Sequence, residues 1–242
     1  MSKKEFFMEH ELKSAVVDAG CLLFFSEQQD LAAQQDVLDS LLYVQLAASK
    51  KHSKFVTFDK WNETWLAAAS RFGWVLSANE RISEPLPDGT VHAVWSLASD
   101  LAGRSVDAAL MKYAESLGRK ICLQVPEHEA VQLLTSETLS REAMHDGHPL
   151  TTVSLQIGFV CADRNMILTQ IRLATCQSLT SGLLFDTLDP GLIKGNVTLT
   201  YYSMQLIEQV YATFRSAFDV ALSGKRATLL KSLGELSHVR QG

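Results

Sequence analysis

Thr152-Val153-Ser154-Leu155-Gln156-Ile157-Gly158-Phe159-Val160-Cys161 alternates apolar with small or polar side chains. Val153, Leu155, Ile157, Phe159 and Cys161 fall on one side of an extended chain, and Thr152, Ser154, Gln156 and Gly158 on the other. That period of two predicts a half-buried β-strand. Asp163-Arg164-Asn165 supplies turn residues, and Ile167, Thr169, Ile171, Leu173 and Thr175 resume the alternation. Two strands joined by so short a turn must run antiparallel. Residues 183–188 and 196–201 read as a third and fourth strand, separated by Asp189-Pro190-Gly191. The second half of the chain is therefore expected to be a meander.

Upstream the rhythm is helical. Leu12, Ala15, Val16, Ala19 and Leu22 or Leu23 recur at three and four, which predicts a helix within 6–25. Ser26 with Gln29 reads as a capping box opening a helix to about Ser49, closed by the basic run Lys50-Lys51-His52-Ser53-Lys54. Trp61, Trp65, Ala68, Ala69 and Phe72 stripe a helix over 58–72, with Gly73 as its C-terminal cap and Trp74-Val75-Leu76 extended beyond it. Residues 84–89 form a Pro- and Gly-containing loop. Helices are expected over 91–101, stopped by Gly103, and from Ser105 to Gly118. Residues 121–139 are ambiguous between helix and strand, with Pro126 breaking either. Ser203 is expected to cap a helix to Ser223, stopped by Gly224, and a shorter helix to run from Lys225 to Val239. The expected fold class is thus α+β: a helical N-terminal half, then an antiparallel β-meander of about four to five strands covered by C-terminal helices. All of it is expected in one domain spanning 1–242.

Composition narrows the function classes. With 47% hydrophobic and 20% charged residues, the chain lies in the globular regime. A net charge of −5, with both signs interspersed, argues against nucleic acid as a partner, because phosphate backbones need a concentrated basic face. Cys21, Cys122, Cys161 and Cys176 share no C-x-x-C spacing, which favours reduced, buried thiols. Lys3 and Lys4 precede an apolar run at 19–25, but Glu5, Glu9, Glu11 and Asp18 interrupt what a signal peptide keeps apolar. No stretch reaches the length of a transmembrane helix. A soluble, cytoplasmic protein is expected, although export by another route stays open.

Leu41-Leu42-Tyr43-Val44-Gln45-Leu46-Ala47, Trp61, Phe72-Gly73-Trp74-Val75, the hairpin Gln156-Ile157-Gly158-Phe159-Val160-Cys161 with Ile167-Leu168, and Val210-Tyr211 carry a resemblance. In order along most of the chain, they resemble a family of uncharacterised bacterial and fungal proteins. Some members of that family are encoded beside α-pore-forming toxins of the motility-associated killing factor type. The resemblance implies a virulence-associated or toxin-locus accessory role. It supplies no catalytic residue, and 121–139 and 178–192 follow its pattern only loosely.

Several constellations invite chemistry. His145-Asp146-Gly147-His148 could set two imidazoles on a metal, against the alternative of an exposed polar turn lacking further ligands at zinc spacing. Cys161 and Cys176 could be nucleophiles, against buried thiols at strand ends, and Thr180-Ser181-Gly182 lacks the leading glycine of a nucleophile elbow. No phosphate-binding glycine loop is present. Lys50–Lys54 and Lys225-Arg226 with Lys231 could touch anionic surfaces, or be solvated helix ends. Trp61, Trp65, Phe72 and Trp74 could line a ligand pocket, or be core. Phe6-Phe7-Met8 could be a partner-binding or membrane-seeking face. The reading is a binding or accessory protein with a possible protein partner, and with no catalytic residue, metal or cofactor nominated. An enzyme, or a carrier of a small apolar ligand held between helices and sheet, is the alternative.

Overall fold

In a computed structural model, the structure describes residues 12–26, 30–87, 91–124 and 127–235. Phe6-Phe7-Met8, Gln29, the Asp88-Gly89 turn, Pro126 and the end of the C-terminal helix expected at Val239 lie outside these residues.

One mixed sheet organises the fold. Its strands are β1 (Leu12–Asp18), β2 (Cys21–Ser26), β3 (Trp74–Glu84), β4 (Leu139–His145), β5 (His148–Val160), β6 (Asn165–Thr175), β7 (Val197–Leu206) and β8 (Leu230–Glu235). They run in the order β3-β7-β6-β5-β2-β1-β8, with β4 also paired to β5. The β5–β6 hairpin lies where the alternation places it, in register from Thr151 opposite Thr175 to Val160 opposite Met166. Strand β5 is the hub, because β2 pairs with it in parallel from Cys21–Gln156 to Phe25–Val160 while β4 pairs antiparallel beside the other end.

This corrects the expected fold class in four places. The N-terminal half is not helical: residues 12–26 form the β1–β2 hairpin, and β3 joins the same sheet. All six residues of β2 are buried, and a strand covered on both faces shows a continuous apolar run that also satisfies helical spacing. The turn between β1 and β2 is Ala19-Gly20, with Ala19 at φ 48°, and lacks the usual Asn-Gly signature. Residues 183–188 are turns whose leucines pack into the core, and Leu188 makes only an isolated bridge with His92, outside the strands of the sheet. Strand β7 runs on to Leu206, so Ser203 lies in a strand, and only the short helices α6 (Glu208–Tyr211) and α7 (Arg215–Ala221) follow. The last expected helix is one turn, α8 (Arg226–Leu229), feeding β8, which closes the far edge against β1.

Helices cover both faces of the sheet. Helices α3 (Val94–Ala102), α4 (Ala108–Gln124) and α5 (Glu129–Thr138), with Leu179, Leu183, Leu184 and Leu188, pack on one face around Phe24, Trp95 and Phe159. Phe24 stacks on Phe159 at 5.4 Å and meets the edge of Trp95 at 5.9 Å. Helices α1 (Leu31–Lys51) and α2 (Phe58–Arg71), with Tyr211, Phe218 and Leu222, cover the other face around Phe25, Trp65 and Tyr202. Helix α1 is capped by Asp30, whose carboxylate accepts from Ala33 N–H at 2.6 Å, rather than by Ser26. Basic Lys50 and Lys51 end it as expected. No helix among the described residues is long and apolar enough to cross a membrane.

Candidate functional site

Helix α2 turns into β3 through Gly73, whose φ of +101° is open to glycine and strained for other residues. Trp74 then enters the core, where its indole N–H donates to Ser40 Oγ at 3.1 Å. From Val75 to Arg81 every residue of β3 is exposed. Successive side chains of a strand point to opposite faces. Val75 at 54% and Leu76 at 40% exposure therefore leave both faces of the sheet bare at this end. Strand β3 pairs with β7 along its whole length, from Trp74–Leu206 to Glu84–Val197, and no other described strand pairs with its outer side.

Beside this end of β3 runs a groove of about 430 Å³, walled by Leu66, Ala67 and Ser70 of α2 and floored by Trp74, Leu76 and Met204. The other half of the strand is charged. Arg81 donates to Asp59 of α2 at 2.7 Å, and Glu80 accepts from Arg104 in the α3–α4 connection at 2.7 Å. A register shift between Leu76 and Ala78 separates the two halves. Charges and a bulge guard an edge against indiscriminate strand pairing. The apolar half carries neither guard. This arrangement can take an extended chain: main-chain groups at the edge supply hydrogen bonds, and the groove takes alternate apolar side chains.

The other constellations land as follows. Trp61, Trp65 and Phe72 belong to the core around α1 and α2, so the aromatic stripe is chiefly packing. Trp61 donates to Ser49 Oγ at 2.9 Å, and Trp65 stacks on Tyr202, whose hydroxyl hydrogen-bonds Asn62. Only Trp74 of the four borders the groove. His145 and His148 face each other across the β4–β5 turn, and with Cys176 and Lys194 they border a depression of about 390 Å³. No group of three or more His, Cys, Asp or Glu among the described residues is placed to hold a metal ion. Cys161 is half-buried at the end of β5, with its thiol pushed up by burial. Cys21 and Cys122 are buried; burial raises both thiols, Cys122 to about 11, while Asp18 raises Cys21 further.

The basic clusters divide. Lys50, Lys51 and Lys225 reach solvent, whereas Lys54 turns inward toward Glu137 at 3.9 Å, and burial lowers its pKa. Arg226 pairs with Asp39 and Asp219, and Lys231 with Glu129. Sequence reasoning missed β3 as an exposed edge. Its extended start at Trp74-Val75-Leu76 was legible, but the solvation of that stretch depends on which strand stops beside it.

No protein-family model matches the chain, and no curated protein matches it either. Among solved structures it is similar to a delta-endotoxin at 7% identity and TM-score 0.41, over 78% of this chain and 82% of that one. It is also similar to the Evf virulence factor at 10% identity and TM-score 0.35, over 89% of this chain and 84% of that one. The activated Cyt2Ba monomer from Bacillus thuringiensis subsp. israelensis is similar at 11% identity and TM-score 0.38, over 78% of this chain and 98% of that one. These neighbours are toxin and virulence-factor folds, and at such TM-scores they carry no inference about what this chain does.

Proposed function

We propose that the chain is a non-enzymatic binding or accessory protein, and that its partner is a protein that adds an extended apolar segment to the open edge of β3. A toxin or virulence locus is the setting that the sequence resemblance implies; the proposal does not rest on it. One observation carries the reading: Val75 and Leu76 are exposed on opposite faces of an edge strand, directly beside an apolar groove. The partner segment has apolar residues opposite 75–76.

Phage-displayed random peptides selected on the folded protein test this. Selected peptides should be extended and apolar at one end, lose binding at least about tenfold to Val75→Glu, and slow amide exchange along β3. Peptides that enrich but bind Val75→Glu equally well, or that protect other strands, defeat the proposal, as does a selection that enriches nothing. Self-association through β3 on sedimentation, abolished by Val75→Glu, would replace the foreign partner with a second copy.

A further inference from the structure

On the sheet face beneath α1 and α2, one row of side chains crosses five strands. Cys21 of β2 is in register with Gln156 of β5, Gln156 with Gln170 of β6, Gln170 with Thr200 of β7, and Thr200 with Arg81 of β3. The neighbouring row is Ser154, Arg172, Thr198 and Ser83. Both rows are almost entirely polar, whereas the rest of this face is largely apolar. Gln156, Gln170 and Thr200 are 4%, 1% and 4% exposed. Yet Gln156 Nε2, both amide atoms of Gln170 and Thr200 Oγ1 have no hydrogen-bond partner among the described residues. Each such buried orphan costs about 1–3 kcal/mol.

Beside these buried rows, a cavity of about 270 Å³ opens over Arg172 and Thr198 of the second row and Arg81 of the first, under the α1–α2 connection. Thr57, Phe58 and Lys60 border it on one side, and Arg81, Arg172 and Thr198 on the other. Its charge is lopsided. Asp59 is the one carboxylate among the lining residues, and it is engaged by Arg81 at 2.7 Å. Among the described residues Arg172 has no carboxylate partner: its Nη2 donates to the Phe55 carbonyl at 3.2 Å, its guanidinium lies 5.7 Å from the Phe58 ring, and its buried Nε is unpartnered. Helix α2 starts here, and its N-cap residue Thr57 makes no side-chain cap.

We propose that this cavity binds a phosphate group. A guanidinium fork recognises phosphate oxygens bidentately. The positive end of α2 and the Lys60 ammonium add donors of the same sign. Thr198 borders the cavity and adds a hydroxyl for a further oxygen. A carboxylate has two oxygens, which Arg172 alone would occupy; the spread of donors suits a tetrahedral oxyanion. The volume lies just below the roughly 300–1,000 Å³ of drug-sized pockets, so a head group fits rather than a large ligand. This site is separate from the β3 edge and stands or falls without it.

The test measures inorganic phosphate binding by calorimetry at constant ionic strength, and flotation with phosphatidylcholine vesicles with and without phosphatidic acid. Wild type, Arg172→Gln and Lys60→Ala are compared, with circular dichroism reporting the fold. Binding should weaken at least about tenfold in Arg172→Gln and a few-fold in Lys60→Ala. Lys60 is exposed, so the second variant keeps the test valid if the first fails to fold. Variant-sensitive binding of free phosphate assigns a soluble phosphate compound. Variant-sensitive flotation on phosphatidic acid alone assigns a lipid head group. Absence of both, or binding that both variants retain, overturns the proposal.

Discussion

Arg215 grips Asp36 with two parallel hydrogen bonds, Nε at 3.0 Å and Nη2 at 2.8 Å, across 179 residues of sequence. The same Arg215 Nη2 reaches Glu208, and Arg164 from the β5–β6 turn reaches Asp36 at 3.2 Å. One turn along α1, Asp39 holds Arg226 by a second bidentate pair, at 2.6 and 2.8 Å. Two buried aspartates of one helix thus fasten the segment after β7 onto the layer above the sheet.

Removing Asp36 should therefore loosen that segment. The carboxylate is only 5% exposed, and its loss leaves Arg164 and Arg215 with Glu208 as their remaining carboxylate partner. Breaking a buried pair from one side costs about 3–5 kcal/mol. Because Arg215 is 43% exposed, Asp36→Ala is expected to cost about 2–3 kcal/mol, read from the urea unfolding midpoint. A change under about 0.5 kcal/mol, the size of an ordinary surface substitution, would contradict it.

Asp18 makes a contribution that depends on pH. Burial, and then Asp39, raise its pKa well above the ordinary carboxylate value, although Gln45 donates to it at 3.2 Å and so lowers it somewhat. The folded chain therefore holds this proton more tightly than the unfolded chain. That stabilisation is complete below the unfolded pKa and is lost as pH rises through the folded one. Asp18→Asn cannot titrate, so its melting temperature should gain on wild type as pH rises from about 4 to about 8. A constant difference across that range would show that Asp18 ionises freely.

Gly73 should resist replacement. A Cβ there would stand 3.2 Å from Tyr211 N and from Val210 Cβ, at a φ that disfavours side chains. Gly73→Ala is expected to destabilise by about 1–3 kcal/mol in thermal melts. A neutral result would mean that the α2–β3 junction relaxes without cost.

The thiols should react in order of burial. Iodoacetamide should label the half-buried Cys161 and Cys176 first in the native protein, while Cys21 and Cys122, buried and with raised pKa values, react only on unfolding. Peptide mass spectrometry at neutral pH reads the order. Early labelling of Cys21 would mean that the β1–β2 hairpin opens readily.

Val75→Glu should leave stability within about 0.5 kcal/mol, because the side chain is already solvated. Urea unfolding checks this, and it separates loss of binding from loss of fold.

By itself, the sequence determined the elements whose pattern is local. The alternation through 152–175 gave β5 and β6, and the Trp61, Trp65 and Ala69 stripe gave α2 with its glycine stop at 73. Each follows from side-chain period alone, whatever packs against it. Tertiary structure decided the rest. Residues 12–26 are strands because β5 and β8 flank their hairpin and helices cover both faces, which erases the period that would have announced them. Strand β3 is exposed because the described sheet ends with it. The row from Cys21 to Arg81 exists only through the register of five strands, and register is a relation between distant segments that no window of sequence contains.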